Sequence, residues 1–90
     1  KVLVRIIRNL KNSYAQSYAY EKALRCADMI LAVEPESPDE IRDKGIILER
    51  LQKYQPALDH LNRYLEIAPE AQDVDFILEL IRNTREKSSQ

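Results

Sequence analysis

Residues 20–35, YEKALRCADMILAVEP, are followed 34 positions later by a second stretch of the same design, YQPALDHLNRYLEIAP, at residues 54–69. Five positions hold the same residue type in both stretches: Tyr20 and Tyr54, Ala23 and Ala57, Leu24 and Leu58, Leu31 and Leu65, Pro35 and Pro69. This spacing, which we call the repeat period, is typical of a chain built from repeated supersecondary units that stack on one another. The sequence therefore predicts a repeat protein.

The composition favours helices joined by tight turns in one small all-α domain, residues 1–90. There is one glycine, Gly45, whereas a sandwich or barrel would need many turn glycines. Fourteen basic and fifteen acidic residues show no basic arm or stripe, so nucleic acid is not an expected partner. No apolar run approaches the ~20 residues of a membrane-spanning helix, so no membrane partner is expected either. A single cysteine favours a cytoplasmic setting, and the start at Lys1 rather than Met suggests a piece of a longer chain.

Apolar periodicity and stop signals predict five helices, at about residues 2–17, 20–33, 38–51, 54–67 and 73–86. A capping box is predicted at the third start, with Ser37 as N-cap, Pro38 at the first helical position and Glu40 three residues after the cap. The inward stripe predicted for the first helix is Leu3, Ile6, Ile7, Leu10 and Tyr14. The stripe predicted for the fifth helix is Val74, Ile77, Leu78 and Ile81.

Two 34-residue helix hairpins followed by a lone helix resemble the layout of a tetratricopeptide-repeat (TPR) module. Repeat one is predicted at residues 4–37, repeat two at residues 38–71, and a capping helix with a polar outer face at residues 73–87. Lys11 departs from the family pattern at a small-residue position, and Lys44 departs at an apolar one. The resemblance implies a short all-α solenoid of antiparallel hairpins that binds protein and catalyses nothing. The family's large positions include Tyr14, Tyr20, Tyr54 and Tyr64, which are predicted to fill seams between helices.

A narrower resemblance is carried by RIIRNLKNSY at residues 5–14 and SPDEIRDKG at residues 37–45. Both runs resemble the C-terminal repeat region of the bacterial SirB-type family, whose members carry a transglutaminase-like domain before the repeats. The resemblance implies that the chain is the C-terminal part of a larger protein of that kind. As an alternative to a pure interaction module, it would then be an accessory part of an enzyme or regulator whose catalytic domain lies N-terminal to it.

The first predicted helix is apolar around more than half of its circumference, and such a helix is normally buried. Val2, Leu3 and Val4 are therefore predicted to dock on the preceding domain of the same chain, or on a second copy in a homodimer. The alternative is that the surplus apolar residues face the third helix within the stack.

The first helix of each hairpin lines the concave side of such a stack, where a protein or peptide is expected to bind. The alternative is a face of mutually paired charges, for example Arg8 with Asp43 or Asp39. A clamp for acidic chaperone tails is not expected, because Asp43, Asp73 and Ile77 stand where three of its five donors belong. The predicted groove residues are Arg5, Arg8, Asn9, Asn12, Asp39, Arg42, Asp43, Ile46, Glu49 and Arg50.

No catalytic residue, cofactor or metal site is predicted. Cys26 and His60 are the single cysteine and histidine, and they occupy equivalent positions, one repeat period apart, on neighbouring second helices. The axes of packed helices lie about 8–10 Å apart, too far for a hydrogen-bonded nucleophile and base without a favourable lean of both side chains. No orienting carboxylate or glycine-rich oxyanion hole accompanies them, so a catalytic pair is not expected.

Overall fold

The computed structural model describes residues 2–89, and the two end residues of the predicted 1–90 domain lie outside it. Its helices are α1 (Val2–Gln16), α2 (Tyr20–Val33), α3 (Pro38–Arg50), α4 (Tyr54–Ile67) and α5 (Val74–Ser88). No β-strand occurs between residues 2 and 89. Each helix packs on the next in chain order, in a body of 39 × 28 × 19 Å. The predicted all-α class is confirmed.

Both hairpins turn through the same backbone geometry. Tyr18 and Gln52, which are one repeat period apart, are the non-glycine residues with positive φ in the described chain, both at 63°. After α1, the N–H of Ala19 donates to the carbonyl of Tyr14 at 2.8 Å, and the equivalent bond after α3 is 2.9 Å. This is the Schellman ending of a helix, which favours glycine at the positive-φ residue. The repeat is therefore present in the backbone as well as in the sequence.

The substitution Gln52→Gly is expected to stabilise the protein by about 0.5–1 kcal/mol. A residue with a side chain costs roughly 1–2 kcal/mol of stability when its backbone is left-handed. Glycine avoids this cost, but part of the gain is lost because glycine has greater freedom in the unfolded chain. Arg25→Gly, at an exposed position in the middle of α2, is the control and is expected to cost about 1 kcal/mol. Urea unfolding measures both. A Gln52→Gly protein that unfolds at lower urea than the parent would contradict the expected strain.

The apolar core lies between α3, α4 and α5. Leu61 and Ile77 are fully buried there, and Tyr64 is 2% exposed. In contrast, α1 adds a single buried apolar side chain, Val4. Ile7 and Tyr14 of α1 are half-buried, and α1 packs extensively on α2, whose buried residues are Ala23, Cys26, Ala27 and Ile30. The core cluster consists of Ile41, Leu58, Leu61, Tyr64, Ile77, Leu80 and Ile81.

The inward stripe predicted for α1 is wrong in part, because Ile7 and Tyr14 are half-buried but the other three residues are exposed. Three of its five residues are more than two-fifths exposed, namely Leu3 at 67%, Ile6 at 50% and Leu10 at 44%. The buried residues of this helix are instead Val4 and Lys11, two turns apart. A helix that is apolar around most of its circumference has no single preferred phase, so periodicity could not identify the inward face.

Gly45 allows α3 and α4 to approach closely. A Cβ atom on Gly45 would lie 2.8 Å from Cδ2 and 2.9 Å from Cγ of Leu61, a buried side chain with little freedom to move. The equivalent positions of repeat one hold Lys11 and Ala27. In repeat one the small residue is Ala27, on the second helix of the hairpin, and its short side chain leaves room for Lys11 on the first. The departure of Lys11 from the family pattern is accommodated in this way.

The last helix is shifted by two residues relative to the repeat. The linker between α4 and α5, residues 68–73, is two residues longer than that between α2 and α3, residues 34–37. Ile77 therefore corresponds to buried Ile41 at a spacing of 36 instead of 34. Leu78, which was predicted to face inward, is 51% exposed, and Leu80 is buried instead. The predicted polar residues of α5 are exposed, but Phe76 is 55% exposed as well, so the outer surface of this helix is not polar throughout. The polar residues are Asp75, Glu79, Arg82, Asn83 and Arg85.

Candidate partner-binding surfaces

An ionic network joins α1 to α3 across the predicted concave groove. The Nζ atom of Lys11, a residue 2% exposed, lies 2.6 Å from Oε1 of Glu40 and 2.7 Å from Oδ2 of Asp43. Arg8 donates from Nε to the other oxygen of Glu40 at 2.7 Å, and Glu40 is 1% exposed. Two cations of α1 therefore hold one buried carboxylate of α3, so neither buried charge lacks a partner.

The predicted capping box is wrong, because Glu40 points to α1. Ser37 does occupy the N-cap position, with Pro38 following it, but its side chain makes no capping hydrogen bond. The carboxylate that would complete the box is used by Lys11 and Arg8 instead. The signal for this second use was Lys11 itself, since a cation at a position expected to be small and buried needs an acid nearby.

The network continues from α3 to the start of α5. Nη2 of Arg42 lies 2.9 Å from Oδ1 of Asp43, and Nη1 donates to Oδ2 of Asp73 at 3.2 Å. Tyr64 of α4 donates its hydroxyl to Oδ1 of Asp73 at 2.5 Å, and the Arg42 guanidinium lies 5.8 Å from the centre of the Tyr64 ring. Sequence reasoning missed Lys11, Glu40 and Tyr64 as members. The network joins three cations, Arg8, Lys11 and Arg42, to the carboxylates Glu40, Asp43 and Asp73, and at its edge to the more exposed Glu34 and Asp39.

The charge states at the α5 end follow from these contacts. The hydrogen bond from Tyr64 holds the pKa of Asp73 below its ordinary value of 3.8 despite burial, and the Arg42 charge acts in the same direction. Burial, and then the bond to Asp73, raises the pKa of Tyr64. Burial alone would lower the pKa of Arg42, but the charge and hydrogen bond of Asp43 outweigh it and raise that pKa. At neutral pH, Asp73 and Arg42 are therefore charged and Tyr64 is neutral.

Acid is expected to destabilise the protein partly through Asp73. Because the pKa of Asp73 is lower in the folded chain, its contribution to stability is complete above about pH 3.8 and is lost as pH falls through the folded pKa. Tyr64→Phe removes the main cause, so it is expected to raise this pKa toward 3.8 and to flatten the acid dependence of stability. NMR titration of the Asp73 carboxyl carbon measures the shift, with Tyr54→Phe on the same helix as control. An unchanged Asp73 pKa in Tyr64→Phe would contradict the assignment.

The other predicted groove residues differ in their accessibility. Arg8 pairs with Glu40 and Glu34, not with the Asp43 or Asp39 named in the sequence analysis. Glu49 is only 3% exposed, and it accepts bonds from Arg50 and from Lys87 of α5, both at 2.8 Å. The assignment of Glu49 to a partner-binding surface is therefore corrected, since it ties α3 to α5. Ile46 is half-buried, whereas the exposed members of the set are Arg5, Asn9, Asn12, Asp39 and Arg50.

Ile77, one of the positions compared with the chaperone-tail clamp, is fully buried. It cannot touch a ligand in the groove. The carboxylates of Asp43 and Asp73 lie in the network described above, where they would repel an acidic tail. The geometry therefore offers no clamp for such a tail at these positions.

A second surface lies on the open side of the first hairpin, and we call it the end face. Because α1 and α2 are antiparallel, the start of α1 lies beside the end of α2. Leu10 and Met29 line one groove between the two helices, together with Tyr14 and Cys26. The end face comprises Leu3, Ile6 and Leu10 of α1 with Met29 and Val33 of α2, all more than two-fifths exposed.

Two of the three predicted docking residues are accessible. Val2 is 66% and Leu3 is 67% exposed, whereas Val4 is 4% exposed and packs within the chain. Val4 is therefore not part of the docking surface. Successive side chains of a helix point in directions about 100° apart, so Leu3 can face outward while Val4 faces inward. The alternative that the surplus apolar residues face the third helix is wrong for Leu3, Ile6 and Leu10.

Cys26 and His60 line different cavities. Cys26 is buried, and Nδ1 of His60 lies 2.9 Å from the carbonyl oxygen of Pro56 on its own helix. Among residues 2–89 there is no group of three or more His, Cys, Asp or Glu side chains arranged to hold a metal ion. None of the helices in that range combines the length and the apolar character needed to cross a membrane.

Five antiparallel helices that stack in chain order, with matching turns one repeat period apart, define a helical-repeat protein. The tetratricopeptide-repeat family model matches residues 10–82. The chain therefore belongs to the tetratricopeptide-repeat family.

Its relatives are longer proteins. A UPF0162 protein of Xylella fastidiosa (strain Temecula1) is 41% identical over 76 residues, which are 84% of this chain and 27% of that protein. Protein SirB1 of Salmonella typhimurium and the UPF0162 protein YchA of Escherichia coli K12 are each 37% identical over 82 residues, which are 91% of this chain and 29% of theirs. The predicted similarity to the SirB-type family is confirmed, and the chain spans less than a third of the length of these relatives.

Proposed function

We propose that the chain is a non-catalytic docking module that binds protein through its end face. The observation that supports this best is the exposure of Leu3, Ile6 and Leu10, three large apolar side chains about one turn apart on α1. Contiguous exposed apolar surface of this kind marks interaction sites in soluble proteins. Membership of a family whose repeats generally mediate protein–protein interactions supports the same function.

The concave groove is the second proposed binding surface. Its central charges are already used, because Lys11 and Arg8 hold Glu40 while Arg42 holds Asp43 and Asp73. A peptide would have to compete with these internal pairs. The side chains that would contact a peptide or polar loop are the exposed Arg5, Asn9, Asn12 and Arg50 at its edge.

We also propose that the chain forms the C-terminal part of a larger cytoplasmic polypeptide with a transglutaminase-like domain ahead of it. The similarity to SirB1, of which the chain covers 29%, supports this arrangement. The end face would then belong to an interface within one polypeptide. Any catalysis would reside in the preceding domain, and this module would be an accessory to it.

Binding between the 90-residue chain and the separately produced remainder of the polypeptide tests the docking function. In isothermal titration calorimetry, Ile6→Glu is expected to weaken the Kd at least about tenfold, because it places a charge in an apolar interface. Asn12→Glu adds the same charge in the groove, and it is expected to leave this Kd unchanged, because the remainder of the polypeptide is proposed to occupy the end face and not the groove. Arg8 and Arg42 are unsuitable controls, because their replacement would also disturb the network.

The outcomes of this experiment separate the two surfaces. A weaker Kd with Asn12→Glu, but not with Ile6→Glu, would assign binding to the groove instead. No measurable binding of the parent chain would contradict the docking function.

A further inference from the structure

The junction between the two hairpins contains the residues that are equivalent, one repeat period later, to those of the end face. The positions that follow the five end-face residues by 34 are Ser37, Glu40, Lys44, Arg63 and Ile67. Two of these side chains make ion pairs with the first hairpin, Glu40 with Lys11 and Lys44 with Asp28, both at 2.6 Å. Arg63 pairs at 2.7 Å with Glu36, in the linker between α2 and α3. In repeat two, the α3 part of the surface equivalent to the end face is therefore covered by the preceding hairpin, whereas Arg63 of α4 remains 48% exposed.

At the end face, apolar residues occupy the positions that are charged in the junction between the two hairpins. Glu40, Lys44 and Arg63 correspond in repeat one to Ile6, Leu10 and Met29. A helix that covered the end face as the first hairpin covers repeat two would have to be apolar at the facing positions. A carboxylate placed as Asp28 is in the internal junction would face Leu10 and lose its hydration without gaining a partner.

Two cations border the end face. Lys22 and Arg25 line the groove that contains Leu10 and Met29, and both are exposed. Neither makes an ion pair within the described part of the chain, and the acid of this groove, Asp28, is held by Lys44. A partner with carboxylates beside its apolar stripe would complement these two charges.

We propose that the end face is covered by one amphipathic helix, apolar where it meets Leu3, Ile6 and Leu10 and acidic where it passes Lys22 and Arg25. The helix belongs to the same polypeptide, in the part that precedes Val2, and this assignment rests on the proposed function. Length supports a further segment, because the chain spans only 27–29% of relatives such as SirB1, and its place ahead of Val2 follows from the arrangement proposed above. A tethered helix also acts at a high effective concentration, so a modest apolar stripe is sufficient to hold it.

A second copy of the chain fits the end face less well. Two end faces packed together would bring the cations Lys22 and Arg25 of both copies into one interface. A head-to-tail contact would offer exposed Phe76 and Leu78 of α5, but it would also bring the Glu79–Arg82 ion pair of that helix to an apolar surface. Both arrangements lack the charge complementarity that an acidic amphipathic helix provides.

Thiol labelling tests the covering helix. In a Cys26→Ala background, Ile6→Cys and Met29→Cys are introduced singly, and the rate of alkylation by a maleimide is measured in the 90-residue chain and in the complete polypeptide. Both rates are expected to be at least about tenfold lower in the complete polypeptide, because labelling then requires the covering helix to open. Asn62→Cys, exposed on α4 outside the end face, is the control and is expected to react equally in both.

Equal rates at Ile6→Cys in the two proteins would overturn the inference. If calorimetry still detected binding of the separate remainder in that case, the docking function would stand and only its assignment to the end face would fail. A rate that decreases with concentration in the 90-residue chain alone would assign the end face to a second copy, and would overturn the inference as well.

Charge reversal tests the chemistry of the covering helix. Lys22→Glu combined with Arg25→Glu is expected to raise the alkylation rate at Ile6→Cys at least about threefold in the complete polypeptide, because acidic neighbours would then be repelled. In the 90-residue chain the same change is expected to have no effect. An unchanged rate in the complete polypeptide would show that the covering helix is not acidic beside its stripe.

Discussion

Replacing Lys11 by methionine is expected to lower the free energy of unfolding by about 3–5 kcal/mol, the usual cost of removing one partner from a buried ion pair. The ammonium group is 2% exposed and lies 2.6 Å from a carboxylate of Glu40 that is 1% exposed. Methionine fills a similar volume, so little packing is lost. The destabilisation is expected because the buried carboxylate of Glu40 then has Arg8 as its one remaining cationic partner. Urea unfolding of the variant measures the change.

The double variant Lys11→Met/Glu40→Met is expected to recover most of this loss, because apolar side chains can replace both buried partners at little cost. Lys44→Met is the matched control. Its ammonium group also lies 2.6 Å from a carboxylate, but that carboxylate, of Asp28, is 50% exposed, so a loss of at most about 1 kcal/mol is expected. A Lys11→Met loss no larger than that of Lys44→Met would show that the buried pair does not hold α1 in place.

Leu61→Ala is expected to cost about 2–5 kcal/mol, because it removes a fully buried side chain from the core cluster and leaves a cavity. The cavity would lie beside Gly45, where α3 and α4 are closest and where no side chain can move in to fill it. Thermal unfolding followed by circular dichroism measures the loss. A cost below about 1 kcal/mol would contradict the tight packing inferred for this contact.

Gly45→Ala tests the same contact from the other side. In the parent protein the added methyl group would lie 2.8 Å from Leu61, so overpacking of about 1–3 kcal/mol is expected to outweigh the roughly 1 kcal/mol gained in helix propensity. In the Leu61→Ala background only the 3.3 Å contact with Cβ of His60 remains, so Gly45→Ala is expected to be less destabilising there by at least about 1 kcal/mol. Equal effects in the two backgrounds would mean that the residues are not coupled.

The fold was predictable because its signals are local and repeated. A tyrosine at the start and a proline after the end predict the observed bounds of α2 and α4. The repeat period predicts that the helix hairpins stack on one another. The register of α5 was not predictable from that period, because the linker at residues 68–73 is two residues longer than its counterpart. The position of Ile77, rather than Leu78, in the core depends on that longer linker.

The surfaces were predicted less completely, because they depend on pairing between helices that are distant in sequence. The position of Glu40 in the sequence fits a capping box. Its carboxylate bonds to Lys11 instead, and this depends on the contact between α1 and α3. Val4 and Leu3 are adjacent in sequence and apolar alike, yet one is buried and the other exposed. A pattern without a clear phase cannot distinguish them.

The way in which α1 is attached bears on how the molecule comes apart. In a linear stack, each unit is stabilised only by its neighbours, and local opening can cost less than global unfolding. As an end helix, α1 is held by its packing on α2 and by the ion pairs of Arg8 and Lys11 with α3, so it is expected to open before the central helices do. Because α1 carries most of the end face, a partner bound there would also oppose this opening and would raise the resistance of the whole stack to unfolding from that end.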